Sequence, residues 1–82
     1  MNQTVTTINY FVAHCLYVNK QETEKVLIKI PTCSYTRKDY NAAMKKLREY
    51  ADSNDKESIC NIETILGPSE YELLKNYLKV LT

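Results

Sequence analysis

The sequence predicts a small α+β domain with the element order β-β-α-β-α. The expected architecture is a three-stranded sheet in order 2-1-3 with two helices on one face. Three observations carry this. The stretch from Ile8 to Val18 is apolar in both of its alternations. Lys25 to Ile30 alternates with period two, Val26, Ile28 and Ile30 against Lys25, Leu27 and Lys29. Two later segments carry apolar residues at helical spacing.

In the first segment Ile8, Tyr10, Val12, His14, Leu16 and Val18 fall on one side, and Phe11, Ala13, Cys15 and Tyr17 on the other. Val, Ile, Tyr and Phe favour strand, although Ile8, Phe11, Val12, Cys15 and Leu16 also fit a helix. Residues 19–24 are polar and read as a hairpin connection. In the second strand Val26, Ile28 and Ile30 point one way and Lys25, Leu27 and Lys29 the other; Pro31 ends it or marks a sheet edge. Thr36 is a candidate N-cap with Asp39 in the first turn. Tyr40, Ala43, Met44, Leu47, Tyr50 and Ala51 form one apolar helical stripe, and Asp52-Ser53-Asn54-Asp55 stops it. Ile59 to Leu66 alternates as a strand, with a short helix ending at Gly67 as the competing reading. Ser69 and Glu72 form a capping-box pattern opening a last helix whose buried side is Leu73, Leu74, Tyr77, Leu78 and Leu81.

A right-handed crossover makes the third strand parallel to the second. The first strand, longest and most apolar, takes the middle. With both helices on one face, the other face would show Phe11, Ala13, Cys15, Tyr17 and Leu27, edged by Lys25 and Lys29. Ile59 and Ile65 would enlarge it if they point the same way, toward the few hundred Å² at which exposed apolar surface signifies a contact site.

The 82 residues make one domain, 1–82, with 44% hydrophobic and 26% charged residues, an ordinary globular composition. The net charge of +1 gives no global pull toward nucleic acid or anionic membrane. The first fifty residues are nonetheless basic and the remainder acidic. Cys15, Cys33 and Cys60 form no Cys-x-x-Cys motif, and their odd number argues for a reduced, cytoplasmic protein. The first nine residues lack the Lys or Arg of a signal-peptide n-region. The longest apolar run is about half the ~20 residues a membrane helix needs.

No catalytic constellation emerges. His14 and Cys15 are neighbours and would point to opposite faces of a strand, and a Cys nucleophile needs a base within about 3 Å. On the expected fold His14 is a hydrogen-bonded core residue facing the helices. One His and three scattered Cys make an improbable zinc set. Glu70 and Glu72 are explained by a helix N-terminus. No Gly-rich phosphate loop, Gly-x-Ser-x-Gly or His-Glu-x-x-His is present. The chain therefore reads as a non-enzyme with no cofactor, metal or small-molecule substrate.

The function expected is protein binding, by a partner protein or by self-association as a homodimer, through Phe11, Tyr17 and Leu27 with Lys25 and Lys29 at the rim. Size and composition add the analogy of a phage or mobile-element accessory protein that inhibits a host or defence protein by occupying its surface. Tyr17, Tyr35 and Tyr71 are the tyrosines free to contact a partner, while Tyr40, Tyr50 and Tyr77 belong to the core. The alternative is a nucleic-acid-binding regulator using the basic flank of the first helix: Arg37, Lys38, Asn41, Lys45 and Arg48, spread over roughly 16 Å by helical rise.

Overall fold

The computed structural model describes residues 7–32 and 37–82. Its elements are β1 (Thr7–Tyr17), β2 (Glu22–Thr32), α1 (Arg37–Asn54), β3 (Ser58–Leu66), α2 (Pro68–Leu74) and β4 (Lys79–Leu81). Thr36, the expected N-cap, lies outside the described residues, as do Cys33 and Tyr35.

β1 and β2 form a hairpin closed by residues 18–21, with Gln21 at φ 55°. Asp55 ties this turn to the end of α1. Its carboxylate accepts from the Asn19 and Lys20 backbone N–H groups at 2.9 and 3.3 Å and from the Asn19 side-chain amide at 2.8 Å. α1 ends where Ser53 Oγ and Asn54 Nδ2 both donate to the Tyr50 carbonyl, satisfying one of the acceptors a helix C-terminus leaves open.

The sheet has four strands in order β3-β1-β2-β4, not three in order 2-1-3. β1 does lie between β2 and β3, antiparallel to both, and β4 adds outside β2 in parallel. The added strand comes from the segment expected to continue the last helix. α2 stops at Leu74, and Val80 and Leu81 then diverge, one to each side of the sheet, as successive strand residues must. The Ser69–Glu72 box is likewise displaced. The N-cap is Gly67, whose N–H donates to Glu70 Oε1 at 3.3 Å.

The helices lie on opposite faces, not on one. α1 packs Ala43, Leu47 and Ala51 on Phe11, Ala13, Cys15, Tyr17, Val26, Ile28 and Ile30. α2 packs Tyr71 and Leu74 on Val12, Leu27, Tyr10 and Leu66. The reason is topological. The β2-α1-β3 connection crosses the sheet in one direction and β3-α2-β4 crosses it in the other. Two crossovers of the same hand running in opposite directions put their helices on opposite sides. Among the described residues no helix is long and apolar enough to cross a membrane.

Candidate contact surface

The faces of the sheet follow from register. Phe11 is opposite Ile28 and Val12 opposite Leu27, so odd residues of β1 share a face with even residues of β2. The expected face combining Phe11, Ala13, Cys15 and Tyr17 with Leu27 therefore does not exist. Phe11 and Tyr17 lie under α1, 6% and 4% exposed, and Leu27 is fully buried on the other side. Of the residues expected to make the contact, only Lys25 is exposed, with Lys29 half-buried.

The uncovered surface belongs to the other side of β1. α2 and the segment after it cover only the end of this face around Tyr10, Val12, Leu27 and Leu66. At the opposite end Leu16 faces Ile59 across the β1–β3 ladder, and Val18 follows just past the end of β1, its N–H bonded to the Glu57 carbonyl. All three are exposed, Ile59 most at 59%. β3 is also an edge strand whose outer side is unpaired among the described residues. It carries a single charge, Glu63.

Glu63 is the extra residue of a bulge, skipped where the pairing shifts between Val12 and Ala13. Its carboxylate lies 3.5 Å from His14 Nδ1 and 3.6 Å from Lys25 Nζ. His14 is thus a half-exposed member of this face beside a carboxylate, not a core histidine packed under helices. The bulge also turns Ile65 to the face of Phe11, its ladder partner, so Ile65 and Ile59 do not join in one patch.

The tyrosines divide differently from the sequence expectation. Tyr71 is buried and stacks on Tyr10 with ring centroids 4.0 Å apart. Tyr17 and Tyr50 donate their hydroxyls to the Glu24 carboxylate at 2.7 and 2.8 Å. Burial, and then the bond to Glu24, push both phenols up from their ordinary range. Tyr40 and Tyr77 are exposed, Tyr77 by 84%, because α2 ends before it.

No family model, curated protein or solved structure matches the chain. Among the described residues there is no pocket, and no group of three His, Cys, Asp or Glu is placed to hold a metal.

The basic flank of α1 is only partly free. Arg37, Lys38, Asn41 and Lys45 are exposed. Arg48 is engaged: its guanidinium donates to Asp52 at 2.8 Å, to the Ser58 carbonyl at 3.0 Å and to Cys60 Sγ at 3.3 Å. A planar fork held at three points is poorly placed to meet a phosphate as well.

Leu16 and Val18 were assigned by the sequence to the helix-covered side. They stay uncovered because α2, at seven residues, is too short to roof an eleven-residue strand.

Proposed function

We propose that this chain works by protein–protein contact through the open end of its sheet and the adjoining edge of β3. The observation that carries the reading is the uncovered cross-strand pair Leu16–Ile59, with Val18 beside it. Apolar side chains lined up on a sheet face are costly to leave in water and are the usual core of a contact patch. His14, Lys25 and Glu63 border it with groups that can be hydrogen-bonded by a partner. The free edge of β3 supplies a second attachment, since its backbone groups can extend the sheet into a neighbouring strand. Occupation of a partner's surface is the mode of action this implies, and a second copy of the chain is one partner that fits.

The test is the variant Leu16→Lys/Ile59→Lys, compared with the unsubstituted chain by solution mass across a concentration series and by capture of the partner. The two lysines face each other across the ladder, where like charges repel, so a modestly lowered midpoint is expected, and circular dichroism checks that the variant is folded. Loss of association in a folded variant supports the reading. Unchanged mass and unchanged capture in a folded variant would rule this face out.

A further inference from the structure

Cys15 and Cys60 lie on the α1 side of the sheet, away from the proposed contact patch, and both are free thiols. They are direct cross-strand partners. The Val18 N–H donates to the Glu57 carbonyl at 2.9 Å, which makes Val18–Glu57 a hydrogen-bonded pair. Antiparallel pairs alternate, so Cys15–Cys60, three steps along the same register, is a non-hydrogen-bonded pair. Such pairs bring Cα atoms to about 4.5 Å, within the span of a disulfide.

The two thiols differ in access. Cys15 is completely buried, while Cys60 is partly exposed on the edge strand. Burial, with Cys60 as the next contributor, pushes the Cys15 thiol up to about 11. Arg48 Nη1 lies 3.3 Å from Cys60 Sγ, held there by Asp52 and the Ser58 carbonyl. A guanidinium fixed beside the sulfur is placed to stabilise the negative charge that develops on the leaving oxygen when a peroxide reacts there.

We propose that Cys15 and Cys60 form an oxidisable dithiol in which a hydroperoxide reacts at Cys60 and Cys15 resolves the product as a cross-strand disulfide. In the first step the Cys60 sulfur attacks the outer peroxide oxygen. The O–O bond breaks, sulfur loses two electrons to become a sulfenic acid, and the leaving oxygen takes the Cys60 proton to depart as water or an alcohol. In the second step the Cys15 sulfur attacks the Cys60 sulfur. The S–O bond breaks, and the departing hydroxide takes the Cys15 proton as water. One peroxide and two thiols are consumed per disulfide. The bond staples β1 to the edge strand β3.

The test uses the full chain carrying Cys33→Ser, treated with hydrogen peroxide and then alkylated. The expected result is an intact mass lower by two hydrogens and a peptide linking Cys15 to Cys60, both reversed by a dithiol reductant. Adding Cys15→Ala leaves Cys60 as a sulfenic acid trapped by dimedone, with no link. Replacing Arg48 by Gln slows oxidation several-fold and replacing it by Lys slows it less, in variants whose circular dichroism and thermal transition show them folded. A folded chain whose Cys60 stays reduced while free glutathione is oxidised overturns the proposal. So does oxidation of Cys60 to the sulfinic acid with no link to Cys15.

Discussion

Phe11 and Leu27 stand on opposite faces of the sheet, although they lie on adjacent, paired strands. Phe11 packs under α1 with Ile28, its partner in the ladder, and Leu27 packs under Tyr71 with Val12. This one parity decides which surfaces the molecule closes and which it leaves open. A register slipped by one residue would move every apolar side chain of β2 to the wrong side.

The parity has a direct consequence for stability. Leu27 is fully buried, so Leu27→Ala should cost about 2–5 kcal/mol, as truncations of packed leucines do. Ile59→Ala, at an exposed position, should stay within about 0.5 kcal/mol. Urea unfolding separates the two. The Leu27 variant should show a lower midpoint with an unchanged slope, and a midpoint no lower than that of Ile59→Ala would mean that Leu27 faces water.

Much of this fold is visible in the residues, and what is not has identifiable causes. The alternation of Val26, Ile28 and Ile30 and the helical spacing of Ala43, Leu47 and Ala51 mark β2 and the buried stripe of α1 directly, because each follows from one element's own period. Register is different. It depends on the length of the turn at residues 18–21, and β1 is apolar on both sides, so its pattern accepts either parity. The C-terminal segment misleads for a related reason. Leu74, Tyr77, Leu78 and Leu81 fit a helix as well as they fit a turn followed by a strand, and the docking of Val80 and Leu81 beside β2 decides between them. The exposure of the Leu16–Ile59 pair is hidden by both effects, since neither the face of Leu16 nor the short reach of α2 can be read locally.

Tyr17 and Tyr50 converge on Glu24 from β1 and α1. Both phenols are raised, by burial first and by the carboxylate second. The folded chain therefore keeps protons that the unfolded chain gives up near pH ~10. Stability from this pair is complete below that value and falls as pH climbs through the folded range. Tyrosinate absorbance should show two late-titrating phenols that ionise with unfolding. Tyr17→Phe should cost about 1.5–3 kcal/mol at neutral pH, through loss of a bond to a charged group. It should also flatten the alkaline fall in stability. An equally steep fall in Tyr17→Phe/Tyr50→Phe would detach the effect from these two residues.

Asp55 predicts the opposite limb. The Glu57 N–H donates to it at 3.0 Å and is the main reason its carboxyl is held below the usual range, helped by the bonds from Asn19 and Lys20. A lowered carboxyl contributes stability above the unfolded value of about 4, and this is lost as pH falls through the lower folded value. Asp55→Asn should be less stable at neutral pH and should lose less on acidification than the unsubstituted chain. Denaturant midpoints measured from neutral to strongly acid pH test this. Parallel curves for the two proteins would show that another group governs the acid side.

Gly67 offers a gain of stability. It is the N-cap of α2, with extended backbone at φ −75° and ψ 161°. Its N–H already takes the Glu70 half of a capping box, yet glycine has no side chain to return the bond. A Cβ built there meets Glu70 Oε1 at 3.6 Å, an ordinary contact, so a side chain fits without displacing its neighbours. Gly67→Ser places a hydroxyl where it can accept from the N–H of Glu70 and complete the box. The advantage of serine over glycine at an N-cap is small, a few tenths of a kcal/mol, to which about 0.4–1 kcal/mol is added by restricting the unfolded chain. Gly67→Ala separates the two contributions, since it restricts the unfolded chain equally but cannot cap. Serine should therefore exceed alanine in thermal midpoint. If alanine equals or surpasses it, the added hydroxyl is not caught by the helix.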